Sequence, residues 1–135
     1  MNMQYQTELR SLITQVMSGL IPLAIERKSF VINDIQPDIE VYADKDILAL
    51  AMADVLVKAL KHTENDCIRI SAKVFNNIIL LTIKETSHRP HTTIAFSMEQ
   101  VQPLAEKLGG SISVNSDDDK CITVAFTFFN GKRAA

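Results

Sequence analysis

Hydrophobic residues recur along this chain with a helical period in three places and with a strand period between them. From about Thr7 to Lys28, apolar residues are spaced by three and four, which predicts a helix whose last turns Pro22 kinks or thins. A second helix is predicted from about Lys45 to His62, with the carboxylate of Asp44 as its N-cap. A third is predicted from about Ser97 to Leu108. Each helical stripe predicts one face buried against a sheet.

The third helix has a clear stop signal and an internal break. Gly109 and Gly110 follow its last apolar residue, as expected of a helix C-terminus. Pro103 lies inside the segment, which predicts either a kink or a late start of the helix.

Short β-branched runs fill the stretches between the helices. SFVIND and IEVYAD are separated by a turn-like tripeptide at 36–38, and CIRISAKV and IILLTIKE flank a hairpin turn at 75–77. The apolar run 78–81 predicts a central strand that is buried on both faces. ISVNS and CITVAFTFF flank the acidic turn 117–120 and predict a last hairpin. The order α-β-β-α-β-β-α-β-β predicts an α+β fold, a two-layer α/β sandwich with helices on one face of a mixed sheet.

Composition narrows the class of protein but not its chemistry. The chain has 135 residues, 47% of them apolar, and a formal net charge of −2, which predicts a single domain over 1–135 with a core from about 9 to 129. Cys67 and Cys121 are too few for a disulfide scaffold and favour a reducing cytoplasmic setting. No apolar run approaches the ~20 residues of a membrane span, and MNMQYQTELR is not a secretory signal. The near-neutral charge argues against a nucleic-acid partner.

Several strings, in this order, resemble the ATP-binding domain of sensor histidine kinases in the GHKL superfamily, over roughly 9–129. The first is DVLVKALKHT at 54–63, which is similar to the N-box pattern Asn-Leu-Leu-x-Asn-Ala-x-Lys-aromatic-Thr. Asp54 and Lys58 stand at the two asparagine positions, the second of which helps to hold Mg²⁺ in the family. Lys61 keeps the pattern's lysine, and His62 stands at its aromatic position.

The other strings resemble the two glycine boxes. Glu85 falls at the position of the family's adenine-binding Asp in Asp-x-Gly-x-Gly, and the positions where other residues replace glycines are Ser87 and Arg89 in the first box and Ala95 and Ser97 in the second. The family's ATP lid is reduced to about five residues, 90–94.

These substitutions predict a degenerate pocket with no bound cofactor. Mg²⁺ is held by oxygen donors, whereas Lys58 supplies a positive charge and no lone pair. Residues with a side chain at the glycine positions remove the close backbone approach that phosphate loops use. The alternative is ATP with Mg²⁺ in an atypical pocket.

Individual side chains leave alternatives open. Lys58 forms either a surface ion pair with Asp54 or an internal counter-ion in the old metal site, facing Glu85. His62 and the two histidines of the 86–93 loop are expected to be solvated rather than to bind metal. The autophosphorylated histidine of the family lies on a separate helical domain, for which the sequence shows no segment.

The resemblance therefore predicts a non-catalytic signalling or protein-interaction module. Its expected partner is a protein such as a kinase or a response regulator, and no membrane partner is expected. The first helix either packs on the sheet, as in the family, or forms a homodimer with a second copy of the chain. One alternative is a nucleotide-binding sensor kinase or anti-sigma-type kinase domain. Another is a phosphotransferase, which would need a histidine-bearing helical hairpin from elsewhere.

Overall fold

A mixed five-stranded sheet organises the chain, which a computed structural model describes for residues 7–86, 97–117 and 121–131. In chain order the elements are β1 (Thr7–Glu8), α1 (Leu9–Ser18), α2 (Ile21–Glu26), β2 (Phe30–Asn33), β3 (Glu40–Val41), α3 (Lys45–Lys61), β4 (Cys67–Phe75), β5 (Ile78–Thr86), a 3₁₀ turn (Glu99–Val101), α4 (Gln102–Lys107), β6 (Ser111–Asp117) and β7 (Cys121–Phe129).

The sheet confirms the predicted two-layer α/β architecture. Its strand order is β2-β4-β5-β7-β6, in which β2 runs parallel to β4 and the other neighbours are antiparallel. The core lies between the helices and the inner sheet face, where the fully buried side chains include Leu56, Leu60, Ile70, Phe126 and Phe128. Burial of this apolar surface is the main favourable term for folding.

The first helical segment differs from its prediction. It forms two helices, because α1 ends at Ser18 and α2 begins at Ile21. Pro22 lies in the first turn of α2, where its missing N–H leaves no helical hydrogen bond unmade. The proline therefore starts a second helix instead of kinking the first. Thr7 and Glu8, predicted as helix, form a short strand against β3.

The two strands that follow α2 do not pair in the same sheet. β2 joins the five-stranded sheet, whereas β3 pairs with β1 in a separate two-stranded ribbon.

β5 is the central strand of the sheet, as predicted. The prediction that both faces of β5 are buried is wrong. Ile79 and Leu81 are buried, but Ile78 and Leu80 are only half-buried. Because the helices cover one face of the sheet, the other face keeps its apolar residues partly in solvent.

The third helical segment is interrupted before Pro103 rather than late in starting. Ser97 and Met98 are already helical, a 3₁₀ turn follows them, and Pro103 lies in the first turn of α4. Gly109 then adopts a left-handed φ of +75°, which ends the helix before β6. Both predicted hairpins are present, β4–β5 and β6–β7. The tip of the second, 118–120, and the tail 132–135 lie outside the described residues.

The two cysteines lie where the sequence placed them, at the first residues of β4 and β7. Both are free thiols, and both are half-buried rather than fully buried. None of the helices formed by the described residues is long and apolar enough to cross a membrane.

Asp44 caps α3 as predicted, which allows a direct test. Its Oδ1 accepts hydrogen bonds from the backbone N–H groups of Asp46 at 3.0 Å and Ile47 at 3.2 Å. We expect Asp44→Ala to lower the free energy of unfolding by about 1 kcal/mol, because these donors lose their partner. Asp44→Ser should retain most of the stability. Urea unfolding measures both variants, and equal midpoints for wild type and Asp44→Ala would contradict the capping role.

Candidate functional site

The predicted site residues that the structure describes lie along the second half of α3 and at the ends of two adjoining segments. Asp54, Lys58 and His62 follow one another at intervals of four residues on α3 and its C-cap, and Lys61 directly precedes His62. Glu85 lies near the end of β5. Ser97 precedes the 3₁₀ turn and is described below. Four predicted features lie outside the described residues: Ser87, Arg89, Ala95 and the short lid 90–94.

Asp54 and Lys58 form an ion pair one helical turn apart. Lys58 Nζ lies 2.8 Å from Asp54 Oδ1. The side chains are 17% exposed for Lys58 and 33% exposed for Asp54, so the pair is more sheltered than a typical surface pair. Because the pair is partly buried, salt screens the attraction between the two charges less. Removal of one partner therefore costs more stability than it would at an open surface.

Glu85 is buried at the end of β5, with 3% of the residue exposed. Its Oε2 accepts a hydrogen bond from the hydroxyl of Thr63, and among the described residues nothing is bonded to its Oε1. Burial disfavours the charged form and raises the pKa of Glu85 to about 7; the Thr63 bond opposes this rise, and the charge of Asp66 adds to it. A carboxyl group therefore titrates near neutral pH inside this site.

Thr63 connects this carboxyl group to α3. Its Oγ1 also lies 2.6 Å from the carbonyl oxygen of Ala59, one turn back in the helix. A hydroxyl group has a single hydrogen, which serves one acceptor at a time. When Glu85 is protonated, its own O–H can donate to Thr63 Oγ1, and the Thr63 hydrogen remains with Ala59. The geometry therefore favours the neutral acid, in agreement with the raised pKa.

His62 and Ser97 link the end of α3 to the following segment. His62 Nε2 lies 3.3 Å from Ser97 Oγ, and both residues are half-buried. The expectation of a solvated loop histidine is therefore wrong for His62, because the helix end packs against the start of the next helical segment. Lys61, one residue earlier, is exposed.

The two side chains at the N-box-like positions are engaged with each other. Within residues 7–86, 97–117 and 121–131, no group of three or more His, Cys, Asp or Glu is arranged to hold a metal ion. The ammonium group of Lys58, at the second N-box-like position, is held by Asp54 Oδ1. Of the two alternatives for Lys58, the structure shows the ion pair with Asp54, in a more sheltered setting than a surface pair, and no ion pair between Lys58 and Glu85.

The contact between Thr63 and Glu85 was not predicted from the sequence. The N-box-like string ends at Thr63, which places this residue at the end of α3. A polar residue that ends an apolar helix, together with an acid that ends an apolar strand, was the available signal.

By sequence alone the chain matches no family model and no curated protein. Its structure is similar to solved histidine kinases. It superposes on Acinetobacter baumannii histidine kinase AdeS with a TM-score of 0.81 at 13% identity, covering 95% of this chain and 68% of that one. The catalytic domain of histidine kinase ThkA gives 0.77 at 14% identity, with 96% and 98% covered. Full-length ShkA, solved in complex with AMPPNP, gives 0.81 at 17% identity, and this chain spans 33% of it. The fold is that of a histidine kinase ATP-binding domain.

Proposed function

We propose that this chain, which has the fold of a histidine kinase ATP-binding domain, is a non-catalytic signalling domain that does not bind magnesium nucleotide and acts through protein contacts. The observation that carries the proposal is the ion pair between Lys58 and Asp54. It holds a positive charge where the resemblance places a magnesium-binding asparagine, and it occupies the neighbouring carboxylate. We further propose a cytoplasmic setting, which the free thiols favour.

Phosphoryl transfer depends on positioning and on neutralising the charge of the phosphates, mostly through bound Mg²⁺. A domain without the metal site cannot supply that neutralisation by the family's route. This chain retains the fold, with its buried hydrophobic core and the hydrogen bonds at the C-terminal end of α3. We therefore propose that the domain binds another signalling protein, such as a kinase or a response regulator.

The proposal predicts that the wild-type chain does not bind Mg-ATP with a Kd below about 1 mM, which corresponds to about 4 kcal/mol of binding free energy. Isothermal titration with ATP, ADP and Mg²⁺ measures this. Magnesium-dependent binding tighter than that value would contradict the proposal.

Two variants test the role of the ion pair. Asp54→Asn/Lys58→Asn restores asparagine at both N-box positions, and Lys58→Asn changes the second alone. If the pair is the main obstacle, we expect the double variant to gain Mg-ATP binding. Lys28→Asn, which removes a charge from an exposed position before β2, should gain none. No gain in the double variant would show that the ion pair is not the sole obstacle to Mg-ATP binding.

A second candidate function is recognition of a purine base without metal. It is favoured by Glu85 Oε1, a buried acceptor to which no described residue donates. As a carboxylate, Glu85 could accept a hydrogen bond from an exocyclic amino group, so binding should strengthen as pH rises through about 7. Titration with adenosine, which has no phosphates, separates the two functions. Saturable binding that is lost in Glu85→Gln and unaffected by Mg²⁺ would support this candidate.

A further inference from the structure

The sheet has one face without helices, and its side chains form ordered rows across neighbouring strands. Side chains alternate between the faces of a strand, so residues that flank the buried Ile79, Leu81 and Ile83 of β5 belong to the outer face. On β4 and β5 this face carries four directly opposed pairs: Phe75 with Ile78, Lys73 with Leu80, Ser71 with Thr82, and Arg69 with Lys84.

The rows differ in character along the strands: the row at one end is apolar and the row at the other end is cationic. The first row is continued on β7 by Phe129, which pairs with Ile78, and both Phe75 and Phe129 are exposed large apolar residues. The second row combines the cation Lys73 with Leu80, and the third has the small polar side chains of Ser71 and Thr82. The far row has two cations side by side, Arg69 and Lys84.

The charges on this face are only partly compensated. Arg69 Nη1 lies 2.7 Å from Asp34 Oδ2, and this contact raises the pKa of the guanidinium further. Lys73 and Lys84 are exposed, and neither is within ion-pair distance of an acid in the described parts of the chain. Like charges directly opposite each other on a sheet are destabilising. An anionic partner would relieve that repulsion while covering the apolar row.

We propose that this outer sheet face, defined by the four β4–β5 pairs, binds an acidic amphipathic helix of a partner protein. A largely antiparallel sheet can leave one face in solvent, and a helix on this face would complete a three-layer α/β/α arrangement. The four rows span about 20 Å along the strands, which matches about 13 residues of helix. The apolar row receives one end of that helix, and Lys73 and Lys84 receive its acids. The inference deepens the proposed function, because it identifies the surface through which a protein-binding domain acts.

The test uses a synthetic amphipathic peptide of about 18 residues, with leucines on one helical face and glutamates flanking them. A second peptide has glutamine at every glutamate position. Each is titrated into the ¹⁵N-labelled chain, and amide chemical shifts report both affinity and location. We expect the glutamate peptide to bind at least tenfold more tightly than the glutamine peptide, with shifts confined to β4, β5 and β7.

Charge variants make the test specific. Lys73→Glu/Lys84→Glu is expected to weaken binding of the glutamate peptide at least tenfold, and Lys73→Gln/Lys84→Gln to weaken it less. Lys28→Glu/Lys107→Glu changes charge equally at exposed positions outside the face and should bind as wild type does. Thermal unfolding confirms that each variant is folded.

Four results would overturn the inference: no binding of the glutamate peptide, equal binding of the two peptides, shifts that map to the helices, or tighter binding of a single-stranded oligonucleotide than of the peptide. A separate experiment, the nucleotide titration, tests the proposed function. Peptide binding by a chain that also binds Mg-ATP would leave this inference standing while removing the non-catalytic assignment.

Discussion

Glu85→Gln is expected to flatten the dependence of folding stability on pH and to raise stability above neutral pH. In the folded chain the pKa of Glu85 is about 7, whereas its ordinary value is 4.5. Between these values the folded state binds more protons than the unfolded state, so stability falls as pH rises. The loss starts above about pH 4.5 and is complete above about pH 7, where it amounts to about 3 kcal/mol.

The variant carries no titratable group at this position, so this contribution disappears. At pH 8 we expect Glu85→Gln to be more stable than wild type by up to about 3 kcal/mol, and at pH 4.5 to lack that advantage. Urea unfolding at half-unit pH steps measures the difference. Glu64→Gln, which neutralises an exposed acid, is the control and should follow the wild-type profile. Parallel profiles for Glu85→Gln and wild type would show that Glu85 is ionised in the folded chain at neutral pH.

Gly110→Ala is expected to be the most damaging small substitution in the chain's second half. A Cβ at this position would lie 1.7 Å from the carbonyl oxygen of Thr127 and 2.8 Å from Cα of Phe128. Both are backbone atoms of β7, a strand paired on both sides, so neither can move without disturbing the sheet. We expect a loss of 3 kcal/mol or more, on the order of the larger overpacking effects, measured by thermal or urea unfolding.

Gly19→Ala is the matched control. Its added Cβ would meet only the carbonyl oxygen of Val16, at an ordinary 3.6 Å, and the backbone φ of −76° suits any residue. The change should be neutral or slightly stabilising, because alanine restricts the unfolded chain more than glycine does. Equal losses in the two variants would mean that close approach of the backbone at Gly110 is not what requires glycine.

Local signals in the sequence predicted most of the fold, and the misses have specific physical causes. The cap at Asp44 and the turn between β4 and β5 depend on neighbouring residues, so both were predictable. Pairing of β3 with β1 depends on packing between distant segments, so the sequence pattern placed β2 and β3 as strands without showing that they separate. The burial of Ile78 and Leu80 was overestimated for a similar reason. An apolar run in the sequence does not show whether a second layer covers both faces of the strand.

The candidate site was predictable as a set of positions but not as a set of contacts. The resemblance placed Asp54, Lys58 and Glu85 in one pocket, and helical spacing allowed the Asp54–Lys58 pair. That Glu85 meets Thr63 rather than Lys58 depends on how far α3 extends relative to the end of β5. The contact of His62 with Ser97 likewise depends on the packing of two segments 35 residues apart.

The position of β7 has a consequence for how this chain is made. β7 is the last described strand, yet it lies inside the sheet between β5 and β6, and Asn130 directly after it donates to the carbonyl oxygen of Glu40, 90 residues earlier. During synthesis the ribosome must therefore release β7 before the sheet can close. Until then the edges of β5 and β6 that pair with β7 have no hydrogen-bonding partner, and the nascent chain exposes its apolar surface to chaperones and to other chains.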